Sequence, residues 1–373
     1  MLIVLVVACT LAQVQLGTWG AVEIYMRSWL VWVDLPGGER HVPVMPGGAL
    51  VGLVLAANLL VAQLRRLELS WKKVGLWITH AGLILLVAGE FVSAAFQVEH
   101  QLVFEEGQTV GYVEHRQQQE LAIVDASDPA VDDVHAIPQG VLGRRSEIPL
   151  AGTPITLRVH GYFRNAQLRN RGPADPPAPA TAGIGPMVTA LELPVESRDD
   201  RMNTVAAWVE PVAAGRSLGV WMVSNALSAP QAFTWEGRSY QLLMRPAREY
   251  LGYSMTLKKF SHDRYPGTEI PKNFSSLVRL QDKGRGEDRD VLIYMNQPLR
   301  YRGKTFYQAS FGKGDTLSIL QVVENPGWLM PYASTVLVTV GLLVHFAISL
   351  RRSMKRRDAG AAATPKQPQT QGA

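Results

Sequence analysis

Cysteine is almost absent from this sequence: the 373 residues contain one, Cys9. A single cysteine excludes an intrachain disulfide, a CxxC redox pair, a CxxCH haem-attachment site and a cysteine-rich zinc site, because each of these needs at least two thiols. The chain is therefore neither a thiol oxidoreductase nor itself a c-type cytochrome.

Charged residues are also scarce. They form 18% of the chain against 47% apolar residues, and the mean hydropathy is +0.02, whereas soluble proteins carry about 25% charged residues. Disorder requires few apolar residues and high charge, and the glycines show no triplet period, so disordered and collagen-like chains are both excluded. The composition is too apolar for a typical soluble protein.

Motifs of common catalytic sites are lacking. No GxSxG, P-loop or GxGxxG lies in a strand–helix setting, which excludes the usual hydrolase and nucleotide sites. Five histidines of the central region show no HxxxH or HxH spacing and predict no metal site: His100, His115, His135, His160 and His262. No catalytic residue is predicted.

The net charge of +5 is concentrated in two short basic segments, residues 65–73 and 351–373. The rest of the chain is net negative. Lys and Arg beside apolar segments mark the cytoplasmic side of a membrane. No basic and aromatic stripe accompanies them, so nucleic-acid binding is excluded.

Four apolar segments predict transmembrane helices, namely residues 1–17, 47–64, 74–96 and 329–350. About 20 residues span about 30 Å of hydrocarbon, and the first segment is the shortest. It lacks the basic start of a signal peptide, and too few apolar residues precede Cys9 for a lipoprotein signal. We therefore expect an integral membrane protein with about four transmembrane α-helices, three N-terminal and one C-terminal.

The basic segments predict the topology in the inner (cytoplasmic) membrane. With residues 65–73 and 351–373 inside, residues 18–46 and 97–328 are extracytoplasmic and the C-terminus is cytoplasmic. The 18–46 segment is predicted to be interfacial, with aromatic anchors at Trp19, Tyr25, Trp29 and Trp32.

Residues 97–328 predict one large β-rich domain. Short alternating runs such as ITLRVHGYF, VTALELPVE, YQLLMRP and LSILQVV are separated by Gly, Pro and Asp turns. Residues 174–186 predict a Pro/Ala-rich loop or linker, and residues 282–290 a charged, solvated turn.

His80 is the leading candidate for a functional residue, because an ionisable side chain inside a membrane span is costly. It lies about 10 Å from the inner boundary, opposite a stripe formed by Gly75, Gly82 and Gly89. Four apolar residues share the face of His80: Trp77, Ile84, Val87 and Phe91. An imidazole among apolar walls is typical of a haem slot. The alternative is a histidine that packs between helices.

Two further polar residues are predicted at the same depth, Asn58 and His345. His345 is a candidate second axial ligand, and Asn58 is a candidate to orient a histidine through its other ring nitrogen. The alternative for both is hydrogen bonding between helices.

Several stretches resemble the ResB (CcsB) family of cytochrome c biogenesis proteins. They are LAQVQLGTWGAVEIYMRSWLVW, KKVGLWITHAGLILLVAGEFVSAAF, EEGQTV, GYFRNAQLRN, KKFSHDRYPGTEIPKNFSS, MNQPLRYRGKTFYQAS and VVENPGWLMPYASTVLVTVGLLVHF. The resemblance implies a subunit of the system II cytochrome c synthase, which carries haem b across the membrane and presents it to CxxCH motifs. It also implies that His80 matches a membrane histidine that ligates haem.

The resemblance further implies partners: a ResC/CcsA-type membrane protein, apocytochrome c and membrane lipid. This chain lacks the tryptophan-rich motif of that partner, so we expect a haem-delivery subunit rather than a stand-alone enzyme. The alternatives are a scaffold whose outer domain binds apocytochrome or partner without ligating haem, and a solute transporter. The absence of inverted repeats disfavours the transporter.

Overall fold

The computed structural model describes residues 1–34, 41–65, 70–128, 131–173, 175–195, 203–264, 266–267 and 271–362. The described residues form two compact units. The helical unit comprises those of Met1–Ala12, Ala21–Gln97 and Asn325–Ala373, and the β-rich unit those of Gln13–Gly20 and Val98–Glu324.

Most of the helical unit consists of long apolar helices. The α-helices of the described residues are α1 (Leu2–Ala21), α2 (Gly48–Arg65), α3 (Val74–Phe96), α4 (Gln139–Leu142) and α5 (Met330–Ala362), of which α4 belongs to the β-rich unit. A π-helix covers Val22–Arg27, and short 3-10 helices cover Trp71–Lys73 and Gly185–Met187. Within the described residues, α2, α3 and α5 are the three helices long and apolar enough to cross a membrane.

Helix α1 differs from the other three. Its apolar part, Leu2–Thr18, is shorter than a full span, and Gly17 interrupts the helix with a φ of 70°. Glycine adopts this left-handed backbone without a steric penalty, which is why the helical path breaks there. The transmembrane helix over residues 1–17 stays a prediction.

The glycine stripe of α3 packs against α5. A Cβ added to Gly75 would lie 2.4 Å from the backbone nitrogen of His345, and one added to Gly82 would lie 2.9 Å from the carbonyl oxygen of Ser334. On α5, a Cβ on Gly341 would lie 2.5 Å from the backbone nitrogen of Thr79. Small residues thus let the two helix backbones touch.

Strands dominate the β-rich unit, as its alternating sequence predicts. The strands of the described residues are β1 (Leu30–Asp34), β2 (His41–Pro46), β3 (Val98–Glu105), β4 (Thr109–Asp125), β5 (Asp133–Pro138), β6 (Glu147–Pro149), β7 (Ile155–Phe163), β8 (Ala166–Asn170), β9 (Val188–Glu192), β10 (Ala206–Ala213), β11 (Arg216–Ser217), β12 (Trp221–Ser224), β13 (Gln231–Trp235), β14 (Arg238–Arg264), β15 (Pro271–Asp282), β16 (Glu287–Tyr294), β17 (Leu299–Tyr301), β18 (Lys304–Gly312) and β19 (Leu317–Glu324). Strands β1 and β2 form a hairpin in the helical unit.

One large antiparallel sheet organises the β-rich unit. Its order is β16-β15-β14-β4-β3-β19-β18-β17, with β13 also paired to β14 and β5 to β4. A second sheet has the order β11-β10-β7-β6 with β12 on β10, and β8 pairs with β9. Every strand pair is antiparallel, which fits the short turns between consecutive strands.

Two hydrophobic cores share the long strands β4 and β14. One core takes Leu121 from β4 and Leu242 from β14, and the other takes Val113 and Met255 from the same strands. Between the cores the pairing register shifts, and buried Glu120 forms an ion pair with Arg245 at 2.9 Å.

Both loop predictions are confirmed for most of their described residues, and each has a buried exception. Asp282, predicted to lie in a solvated turn, is buried and accepts hydrogen bonds at 2.7 Å from the Tyr301 hydroxyl and from Arg302. The Tyr301 hydrogen bond, with the charge of Arg302, lowers the pKa of this carboxyl. In the Pro/Ala-rich loop, Ala180 is buried and Ala182 bridges to Trp221, so this loop packs on the domain.

Candidate functional site

The half-buried His80 ring on α3 is held by its own helix. Nδ1 lies 2.7 Å from the carbonyl oxygen of Leu76, one turn earlier. A carbonyl oxygen only accepts hydrogen bonds, so Nδ1 carries the hydrogen and Nε2 of the neutral ring keeps its lone pair. This is the arrangement in which a histidine binds a metal through one nitrogen while a carbonyl fixes the other.

The Nε2 side of His80 is open. This nitrogen has no hydrogen-bond partner among the described residues. Because Gly75 and Gly82 face α5 from the opposite side of the helix, His80 faces away from α5. The lone pair of His80 Nε2 therefore lies on a surface of α3 that α5 does not cover.

The four apolar residues predicted beside His80 have different surroundings. Trp77, Ile84 and Val87 are half-buried on α3. Phe91 meets α2, since a Cβ on Gly52 would lie 3.3 Å from the end of its ring. Phe91 therefore packs at the contact between α2 and α3, and the role of these four residues in a haem slot stays a prediction.

A cleft of about 420 Å³ opens at the N-terminal end of α3 and is lined by Ser70, Trp71, Val74 and Trp77. Clefts that bind small molecules have volumes of about 300–1,000 Å³. Trp77 is also one turn from His80, so one tryptophan belongs both to the cleft and to the histidine face. The sequence analysis missed Ser70 and Trp71, although two tryptophans six residues apart beside Lys72 and Lys73 are visible in the sequence.

Neither His345 nor Asn58 forms a hydrogen bond with His80 in the described residues. The backbone of His345 lies against Gly75, on the side of α3 opposite His80, and its ring neighbours Phe346. Asn58 is exposed on α2 and makes no hydrogen bond to another described residue. The carbonyl of Leu76 has the orienting position considered for Asn58. The roles of His345 and Asn58 stay predictions.

A second group of titratable side chains lies in the β-rich unit, in the core of the large sheet. The rings of His100 on β3 and His115 on β4 are 4.7 Å apart, and Nε2 of His100 lies 3.4 Å from Glu249. Lys304 binds Glu249 at 2.9 Å and Glu324 at 2.6 Å. Burial is the main cause that lowers the pKa of both histidines, and for His100 the neighbouring His115 lowers it further.

We expect acid to destabilise the β-rich unit through this histidine pair. Free histidine titrates near pH 6.5, and the folded pKa values lie lower, so below about pH 6.5 the unfolded chain binds more protons than the folded chain. The free energy of unfolding should then fall as the pH drops from 7.5 to 5.5, above the range in which carboxylates titrate. Urea unfolding at the two pH values measures the difference.

The double variant His100→Gln with His115→Gln should flatten this pH dependence, whatever its own stability. The matched control is His135→Gln, which changes a partly exposed histidine of β5 and should keep the full slope. An unchanged slope in the double variant would refute the assignment.

Two other central sites are structural in this fold. The His262 side chain is buried, its Nδ1 lies 3.0 Å from Asp315 Oδ1, and its ring packs on Phe311. The sequence Gly215–Gly219 reads GxSxG, but Ser217 ends the two-residue strand β11 and the next element is strand β12 rather than a helix. It is therefore not the strand-to-helix elbow of a hydrolase.

Comparison with known proteins finds a family match within the β-rich unit. Residues 228–319 match the model of the ResB-like family. Over these residues the chain is similar to the ResB-like family. The matched residues run from before β13 into β19 and include His262, Glu249 and Asp282, whereas His80 and the cleft at α3 lie outside them.

Two of the proteins similar to this chain carry names from cytochrome c biogenesis. It is 34% identical over 93 residues to protein NrfI of Wolinella succinogenes, covering 25% of this chain and 10% of NrfI. It is 37% identical over 101 residues to the cytochrome c biogenesis protein CcsB of Synechococcus sp. strain CC9605, covering 27% and 22%. With CcsB of strain CC9311 it shares 29% identity over 148 residues, covering 38% and 33%. The matched stretches thus span a third or less of each relative.

Proposed function

We propose that this chain is a ResB-type membrane subunit of cytochrome c biogenesis that helps to carry haem across the inner membrane for attachment to apocytochrome c. The observation that carries the proposal is the His80 ring. Its Nδ1 is fixed by the Leu76 carbonyl at 2.7 Å, and its Nε2 is free of partners among the described residues. The names of the CcsB relatives support the same process.

In this proposal the chain's residues hold the cargo and leave the bond-forming chemistry to other proteins. His80 Nε2 binds the iron of haem b, and the Leu76 carbonyl keeps the ring in the binding tautomer. The cleft beside Trp71 and Trp77 receives the apolar macrocycle at the inner side of the membrane. Axial ligation and burial tune the iron's potential.

The covalent step requires no nucleophile from this chain. Each cysteine thiol of an apocytochrome CxxCH motif adds across a haem vinyl group, so that sulfur bonds to one carbon and hydrogen to the other. A ResC/CcsA-type partner completes the synthase. We also propose residues 1–17 as a fourth span, an extracytoplasmic β-rich unit and a cytoplasmic C-terminus, on the basis of the basic segments at residues 65–73 and 351–373.

A reconstituted maturation assay tests this function. A reporter c-type cytochrome is expressed with this chain and a ResC/CcsA-type protein in a bacterium whose own maturation genes have been deleted. We expect haem that survives denaturing electrophoresis on the reporter only when this chain is present. A reporter with both CxxCH cysteines changed to serine controls for non-covalent haem.

Two results would change the conclusion. Equal haem attachment without this chain would refute a role in cytochrome c biogenesis. Attachment that requires the chain but is unaffected by His80→Ala would favour the scaffold that binds apocytochrome or partner without ligating haem.

A further inference from the structure

The β1–β2 hairpin of the helical unit is apolar on both faces. Val31 pairs with Met45, Trp32 with Pro43 and Val33 with Val42. Among the described residues of the two strands, only Asp34 and His41 at the tip are ionisable. A hairpin with one face in water normally alternates apolar and polar residues, and this one does not.

The hairpin leaves apolar side chains exposed on both of its faces. Val31 is 2% exposed and faces the unit's interior, whereas Trp32 is 52% and Val44 63% exposed, and the adjoining Trp29 is 59% exposed. Val33 and Val42 on the paired strands are exposed as well. We call the exposed residues Trp29, Trp32, Val33, Val42 and Val44 the hairpin surface. Exposed apolar side chains concentrated in one small element indicate an interaction site.

The hairpin is fastened to the start of a membrane-spanning helix. Strand β2 ends at Pro46 and helix α2 begins at Gly48. The backbone nitrogen of Gly47 donates to the carbonyl of Trp29 at 2.9 Å, and that of Ala49 to the carbonyl of Ser28 at 3.2 Å. The first turn of α2 and the base of the hairpin therefore form one hydrogen-bonded piece.

The surface of α2 leads directly to the hairpin surface. Helix α2 contains no buried residue along its length, so its apolar side chains are available to lipid. Tryptophan is enriched where a membrane-spanning segment meets the headgroups, because its ring is apolar and its N–H is polar. Lipid that surrounds α2 would therefore also contact Trp29 and Trp32.

We propose that the hairpin surface lies in the headgroup–acyl boundary of the bilayer at the N-terminal end of α2, as a β-hairpin membrane anchor. The inference is independent of haem and of the proposed function. It gives the hairpin a lipid partner and fixes the depth at which α2 begins.

Spin-label accessibility tests the anchor in the full-length protein. Val44→Cys is labelled in a Cys9→Ala background and reconstituted into phosphatidylcholine–phosphatidylglycerol nanodiscs. Oxygen concentrates in lipid, and a nickel chelate stays in water. The matched control is Val131→Cys, an equally exposed valine of the β-rich unit at 66%. We expect the label at 44 to collide more with oxygen than with nickel, and the label at 131 to show the reverse order.

Other outcomes overturn the proposal. A label at 44 that responds like the label at 131 would place the hairpin surface in water. A label at 44 shielded from both reagents would mean that protein, either this chain or a second copy, covers the surface. Neither measurement uses haem or a maturation partner, so failure here leaves the proposed function unaffected.

Discussion

If the chain holds haem together with a ResC/CcsA-type protein as proposed, replacing His80 with alanine is expected to remove most of the haem that co-purifies with the pair. His80 offers the free Nε2 of α3, and alanine supplies no ligand in its place. Losing even an outer partner of a ligating histidine costs about 10- to 100-fold in metal affinity, so loss of the ligand should lower haem occupancy by about 10-fold or more. The visible spectrum and the haem-to-protein ratio measure the change.

Imidazole added to the growth medium and buffers should restore part of the haem in the His80→Ala complex, because it can occupy the space of the missing ring. The matched control is His135→Ala, which removes a histidine from β5 in the β-rich unit and should leave haem unchanged. Full haem occupancy in His80→Ala would reduce His80 to a helix-packing residue. Running His345→Ala beside it tests the predicted second ligand.

Replacing Gly82 with leucine is expected to separate α3 from α5. Intrinsic helix propensity disfavours glycine by about 0.8–1 kcal/mol relative to alanine, and leucine ranks next to alanine, so an isolated helix would gain stability. Here, however, a Cβ alone would lie 2.9 Å from the carbonyl oxygen of Ser334 and 3.0 Å from the nitrogen of Val338. Backbone atoms cannot rotate away, and overpacking costs about 1–3 kcal/mol or more.

The melting temperature of the detergent-solubilised protein, followed by tryptophan fluorescence, should therefore fall in Gly82→Leu. Ala81→Leu is the matched control, since it adds the same side chain one position earlier at an exposed site of the same helix. It should melt close to the unmodified protein. Equal melting temperatures for the two variants would show that α3 and α5 do not depend on the glycine contact.

The three long apolar helices could be predicted from sequence because long apolar runs have few other solutions. Helix α3 begins at Val74 and ends at Phe96, as predicted, and α2 and α5 contain nearly all of their predicted segments. The face of His80 followed from helical periodicity and the glycine heptad. The group that orients the His80 ring could not be predicted. It is a backbone carbonyl, and because every residue has one, the sequence does not single it out.

In the β-rich unit the strands could be predicted from sequence, but the contacts between them could not. Its strands were predicted where apolar residues alternate, as in β7 and β19. The pairing of His100 with His115 depends on strand register, which single runs do not encode. Asp282 was placed in solvent because its neighbours are charged, whereas its partners Tyr301 and Arg302 come from a strand and turn about 20 residues later.

Because two cores share β4 and β14, the β-rich unit cannot readily be divided into smaller folding modules. Each core takes residues from the same two strands, so neither can unfold while the other keeps its full sheet. A fragment cut to the family match, residues 228–319, would keep β14 but lose β4, β3 and most of β19. Its unpaired strand edges would invite aggregation, so a fragment should keep all strands from β3 to β19.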